Sequence, residues 1–95
     1  MNCNTMAQLY KADGTTVANI KPLDGQHFFL AELQGYVGGF IEFLYFDKTI
    51  MVLNEEGKLL GLPVNEYATR YAAVNSRIFD LIVVDVLICD KEQIN

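Results

Sequence analysis

The side chains best suited to chemistry in this sequence are polar ones gathered around two predicted turns. Asn54, Glu55 and Glu56 stand together before Gly57, and Asn65 falls two residues after Pro63, at the predicted start of a helix. Two carboxylates and an amide suit a hard divalent cation in kind, but their spacing matches no calcium or magnesium loop. Free N–H groups at a helix start hold anions, which the neighbouring acids would oppose, so a cation or an amide-bearing ligand fits this cluster better. A structural turn and a helix cap are the plainer roles for the same residues. Glu42 and Asp85 form a second candidate pair on apolar strand faces. If their strands are neighbours, two carboxylates in one dry site would raise one pKa and support general acid–base work; pairing with Lys48, Arg70 or Arg77 is the ordinary alternative.

Other reactive residues carry weaker signals. His27 is the only histidine and Ser76 the only serine, and neither has the neighbours that activate a nucleophile. Gly35, Gly38 and Gly39 follow a helix, the reverse of a phosphate-binding order. Cys3 and Cys89 have no second cysteine or histidine at ligand spacing, and read as free thiols of a reducing compartment. No catalytic residue, metal set or cofactor is expected.

The elements that must position these residues follow from periodicity. Met6–Lys11 and Thr15–Ile20 flank Asp13-Gly14, a dipeptide favoured in type I′ hairpins. Leu30, Leu33 and Val37 fall on one stripe of a helix over His27–Val37, ended by Gly38-Gly39. Phe40–Phe46 and Thr49–Leu53 read as a strand pair, with Gly57 placed for a left-handed turn position. Lys58–Leu62 reads as a short returning strand. A second helix runs from Asn65 through Val74, with Tyr67 and Tyr71 one turn apart as core residues, and Leu81–Cys89 is the last strand. The expectation is a single α+β domain in the order β-β-α-β-β-α-β, its mixed or antiparallel sheet of about five strands covered by two helices on one face.

Composition bounds the rest. The 95 residues fit one domain of about 100. Apolar residues make up 52%, which argues for a folded core, and the net charge of −5 lacks the basic footprint that nucleic-acid binding requires. An acidic protein that occupies a basic surface remains open as a sharper use of that charge, although the acids are dispersed. The longest apolar run, Leu81–Cys89, is interrupted by Asp85 and reaches only about half the length of a membrane-crossing helix. With no signal-peptide pattern, a cytoplasmic location and no membrane partner are expected.

Patterning also bears on partners. Ile82, Val84, Val86 and Ile88 form one aliphatic row, while Leu81, Val83, Asp85, Leu87 and Cys89 form another. Phe40, Glu42, Leu44 and Phe46 alternate with Ile41, Phe43 and Tyr45. Both strands are thus apolar on both sides. If two short helices cover one face, a homodimer or another protein partner must cover the other, through Phe40, Glu42, Leu44, Phe46, Val83, Asp85 and Leu87.

The segments E-L-Q-x-x-V-G-G, N-E-E-G-K and L-P-x-N-x-x-A-T, with D-L-I-V-V-D-V-L-I-C near the end, resemble a family of small bacterial, phage and mobile-element proteins, domain of unknown function family 3846, over roughly Lys21–Cys89. The resemblance implies that Gln34, Gly38, Gly39, Glu42, Asn54, Glu55, Gly57, Asn65, Ala68 and Thr69 are characteristic positions. It thereby adds Gln34 and Thr69 to Asn54, Glu55, Glu56 and Asn65 as ligand-binding candidates. Two departures stand out: Phe29 where the family usually opens its first helix with a small polar residue, and Val84 where it often has glycine. The resemblance implies no reaction. The expected function is a non-enzymatic accessory module that binds protein or itself; a small-ligand protein or enzyme built on Asn54, Glu55 and Asn65 is the alternative.

Overall fold

The computed structural model describes residues 7–57, 61–76 and 81–94. Its elements are β1 (Ala7–Tyr10), β2 (Thr16–Ile20), α1 (Leu30–Val37), β3 (Ile41–Tyr45), β4 (Thr49–Asn54), α2 (Glu66–Ser76) and β5 (Val86–Asp90), followed by a short 3-10 turn at Lys91–Gln93. The strands form one open sheet in the order β2-β1-β5-β4-β3, every neighbouring pair antiparallel. The predicted α+β order is therefore the order found. The last strand in sequence lies in the middle of the sheet, and Val86, Leu87, Ile88 and Cys89 are all buried. A strand covered on both faces needs such an unbroken apolar run.

The helices lie on opposite faces, which corrects the expectation of two helices on one. Leu33 and Val37 of α1 pack with Leu9, Ile50, Val52, Leu87 and Cys89. Ala68 and Ala72 of α2 pack instead with Met51, Leu53, Val86 and Ile88. Apolarity on both sides of β3 and β5 reflects two separate clusters within one chain, Ile41, Phe43, Leu87 and Cys89 on the α1 side and Leu44, Phe46, Val86 and Ile88 on the α2 side, so no partner is needed to explain it.

Local chemistry accounts for several boundaries that differ from the sequence reading. At the first hairpin, Lys11 accepts from the Gly14 N–H and donates to Thr15, and only Gly14 of the loop has positive φ (95°). That is a three-residue loop with a left-handed glycine, where a type I′ turn was expected. Helix α1 begins at Leu30, later than predicted, because Phe28 pairs with Ile94 and donates its N–H to the Gln93 carbonyl. Asp24 accepts from the N–H groups of Gln26 and His27, and these bonds hold its carboxyl below its ordinary range. Strand β5 begins at Val86 rather than Leu81, because Val84 has φ of 63° and breaks the alternation; Val83 keeps only an isolated bridge to Val64. Gly57 does not adopt the left-handed conformation expected of it. Its requirement is space, since a Cβ there would come within 2.5 Å of Val83 Cγ2. The strand predicted for Lys58–Leu62 falls largely on positions 58–60, outside the described residues.

Candidate functional site

Asn65 is 1% exposed and entirely engaged. Its Oδ1 caps α2 by accepting from the Ala68 N–H at 3.0 Å, while Nδ2 donates to Tyr10 O at 2.7 Å and Val84 O at 2.9 Å. One buried amide thus joins β1, the approach to β5 and the start of α2. Thr69, one turn along, accepts from the Ile82 N–H at 2.9 Å and donates to the Ile82 carbonyl at 3.3 Å. Both predicted ligand residues hold backbone in place, and neither has a polar atom to spare for a ligand.

Asn54 has a parallel role on the other face. Its Nδ2 donates to Val37 O at the end of α1, and its Oδ1 accepts from the Glu56 N–H at 2.8 Å, closing the turn after β4. A Cβ on Gly39 would come within 3.0 Å of that Nδ2, which is why the helix ends in two glycines: Gly38 for its φ of 83°, Gly39 for clearance. Above this junction lies a hollow of about 470 Å³ lined by Gln34, Gly35, Gly38, Gly39, Phe40, Asn54 and Glu56. Three of the six predicted ligand residues therefore meet at one place. Asn65 and Thr69 belong to the α2 side, and Glu55 is exposed, its N–H bonded to Phe40 O. All buried side-chain nitrogens and oxygens among the described residues have partners, so no orphaned polar atom marks a ligand position.

Glu42 and Asp85 do not meet. Strand β4 separates β3 from β5, Glu42 is exposed, and Asp85 Oδ1 accepts the Ala12 N–H at 3.1 Å to anchor the first hairpin. The proposed acid–base pair is thereby corrected. Among the described residues, no three His, Cys, Asp or Glu side chains gather, and no helix is long and apolar enough to cross a membrane. Cys89 lies at the centre of the sheet, where burial pushes its thiol up to about 12, so it is an inert core residue. Burial, followed by the influence of Tyr67, raises the Tyr10 phenol; the two rings stack 4.1 Å apart. Tyr71 bonds Thr49 Oγ1 at 2.8 Å and packs edge-on to Phe46, whereas Tyr67 is half exposed rather than a core residue.

The predicted interface row does not form one free surface either. Phe46, Val83 and Leu87 are buried in the chain's own core, Leu87 on the α1 side; Leu44 and Asp85 are partly covered; Phe40 and Glu42 are exposed. What the described residues leave open is an edge. Among them, strand β3 pairs only with β4, from Ile41↔Asn54 to Tyr45↔Ile50, without a bulge. Bonds from Phe46 N–H to Thr49 O and from Glu55 N–H to Phe40 O fix which residues of this ladder face inward. By the alternation of antiparallel pairing, Phe40, Glu42, Leu44 and Phe46 point their backbone groups at β4. The N–H and C=O of Ile41, Phe43 and Tyr45 point outward. No described backbone group bonds to them. Sequence periodicity assigns the side chains of these three residues to a face but carries no signal that their strand is an edge.

No curated protein and no solved structure matches the chain. A family model described as Domain of unknown function (DUF3846) matches residues 6–94, and the protein belongs to that family.

Proposed function

We propose that this protein is a non-enzymatic accessory module that binds protein by accepting a strand at the open edge of β3. The observation that carries this reading is the row of outward N–H and C=O groups on Ile41, Phe43 and Tyr45, on a strand whose only charge is Glu42. Main-chain bonds supply affinity in strand addition, and side chains beside the new strand supply selectivity. Phe40 and Tyr45, each 63% exposed, flank the edge and offer apolar surface for that purpose. The opposite edge is different. Strand β2 carries a bulge where Asn19 turns to φ of 61° and the register shifts between Ala7 and Leu9, a feature that discourages pairing. A phage or mobile-element setting and a cytoplasmic location, as the family resemblance and composition imply, would suit such a module.

The test is affinity capture from the native host with wild-type protein and Tyr45→Pro. Tyr45 directs its N–H away from β4, so proline there removes an outward donor and leaves the β3–β4 ladder intact. Captured protein should protect the amides of Ile41, Phe43 and Tyr45 from hydrogen exchange, and Tyr45→Pro should lose it. Equal capture by both proteins, with those amides still exchanging freely, would refute the reading.

A second reading rests on the hollow that unites Gln34, Asn54 and Glu56. A small ligand with an amide or cationic group would sit against Phe40 and the Glu56 carboxylate. Titration of labelled protein with a panel of amino acids and amides, followed by amide chemical shifts, tests it; shifts absent around Gly38–Phe40 at millimolar ligand would eliminate it.

A further inference from the structure

Strand addition at β3 raises the question of whose strand is added. Resting on that reading, we infer that it is β3 of a second copy, paired antiparallel about Phe43 to give one continuous ten-stranded sheet.

The geometry of the edge makes β3 complementary to a second copy of itself in one register. A second β3 presents the same outward groups on Ile41, Phe43 and Tyr45, so hydrogen-bonded pairs form only among these residues. Antiparallel pairing with Phe43 opposite its own copy joins Ile41 to Tyr45 twice over, and all three residues of each strand are satisfied. Shifting by one step leaves one outward residue of each strand unpaired. In one direction that shift also sets Glu42 directly against Glu42 of the second copy at a closely spaced, non-hydrogen-bonded position, where like charges repel. In the Phe43-centred register, Glu42 lies opposite Leu44 instead. The charge that guards the edge therefore still permits this one full pairing.

Side chains agree with that register. Phe43 and Tyr45 project on the α1 face with ring centroids 6.1 Å apart, and Ile41 packs on the same side. A twofold axis normal to the sheet keeps the α1 helices of both copies on one face. The two Phe43 rings then become neighbours, and each half-exposed Ile41 meets an exposed Tyr45. Aromatic and branched pairs across a strand boundary are the favourable kind.

The experiment combines mass with register. Sedimentation of the full chain across a concentration series should give a dimer, and Tyr45→Pro should weaken it at least tenfold while circular dichroism stays unchanged. Should Tyr45→Pro misfold, Leu44→Glu and Leu44→Lys provide a second comparison. Both lose the same packing, but only Lys faces Glu42 of the second copy with opposite charge, so Lys should give the tighter dimer by about tenfold. In a Cys3→Ser background, Glu42→Cys mixed with Leu44→Cys should form a disulfide heterodimer, and neither alone should cross-link efficiently. A monomer at every concentration overturns the self-pairing, as does cross-linking of either single variant in preference to the mixture. Capture of a different protein, with loss in Tyr45→Pro, would keep β3 as a binding edge while refuting the second copy as its occupant. Capture unaffected by Tyr45→Pro removes both.

Discussion

Val84 combines a β-branched side chain with φ of 63°, a conformation that costs an L-residue about 1–2 kcal/mol. The strain is held from both sides: its N–H bonds Pro63 O at 2.7 Å, and its carbonyl accepts from the buried Asn65 amide. Glycine, which the family resemblance places here, fits the geometry without strain. Val84→Gly should therefore stabilise the protein by up to about 1 kcal/mol, after the greater freedom of glycine in the unfolded chain is offset. Val84→Ala should destabilise it, because alanine keeps the strain and loses contacts. Urea midpoints for the three proteins decide; a glycine variant no more stable than alanine would rule out strain as the explanation. Cys89 gives a pH test. Its folded pKa, about 12, is raised, so its contribution is complete below the unfolded thiol value and is lost as pH rises from about 9 toward 12. Stability should fall over that window by at most about 1.4 kcal/mol per pH unit beyond the fall seen in Cys89→Ala. Parallel pH profiles for the two proteins would exclude the thiol as the cause. Asn54 and Asn65 show why site residues could be located in the sequence without being assigned a role. An asparagine at a turn or helix start has the same neighbours whether its amide holds the backbone or a ligand, and only the long-range bonds to Val37, Tyr10 and Val84 separate the two.

At the scale of elements, α1 depends on a carboxylate that substitutes for a missing cap. The Phe29 side chain cannot accept a hydrogen bond, and Glu32 instead accepts from the Phe29 N–H and, with its other oxygen, from the Leu23 N–H. One side chain thus anchors both the helix start and the loop leading into it. Glu32→Ala should cost about 1–2 kcal/mol and speed hydrogen exchange at Leu23 and Phe29 ahead of the helix interior. Uniform acceleration throughout α1 would show that the residue acts by helix propensity alone. The order of elements was legible because each has a period and punctuation of its own: the glycine turn, the Leu30–Leu33–Val37 stripe, the Gly38-Gly39 stop. Their arrangement was not. Alternation shows that β3 and β5 are apolar on both sides without stating whether a helix of the same chain or another molecule covers the second side. The left-handed Val84 was equally hidden, since nothing local in a run of valines announces a break.

For the whole molecule, the balance between attraction and charge sets the conditions under which two copies can join. Each copy carries a net charge of −5, so self-pairing through β3 brings like-charged bodies together. The hydrogen bonds and apolar contacts at the edge are short-ranged and barely affected by salt, whereas repulsion between exposed charges is screened beyond about 10 Å at 0.1 M ionic strength. Raising ionic strength from about 0.02 M to about 0.3 M should consequently tighten the dimer. Docking of this acidic protein on a basic surface, including one that otherwise holds nucleic acid, has the opposite sign, because salt weakens attraction between opposite charges. Sedimentation equilibrium at several salt concentrations therefore tests the self-pairing, and a salt series of binding to a polycationic surface tests the other use of the same charge. Self-association that weakens with salt would require opposite charges in contact between copies, which the Phe43-centred register does not provide: it places Glu42 against Leu44, and Ile41–Tyr45 holds no basic residue.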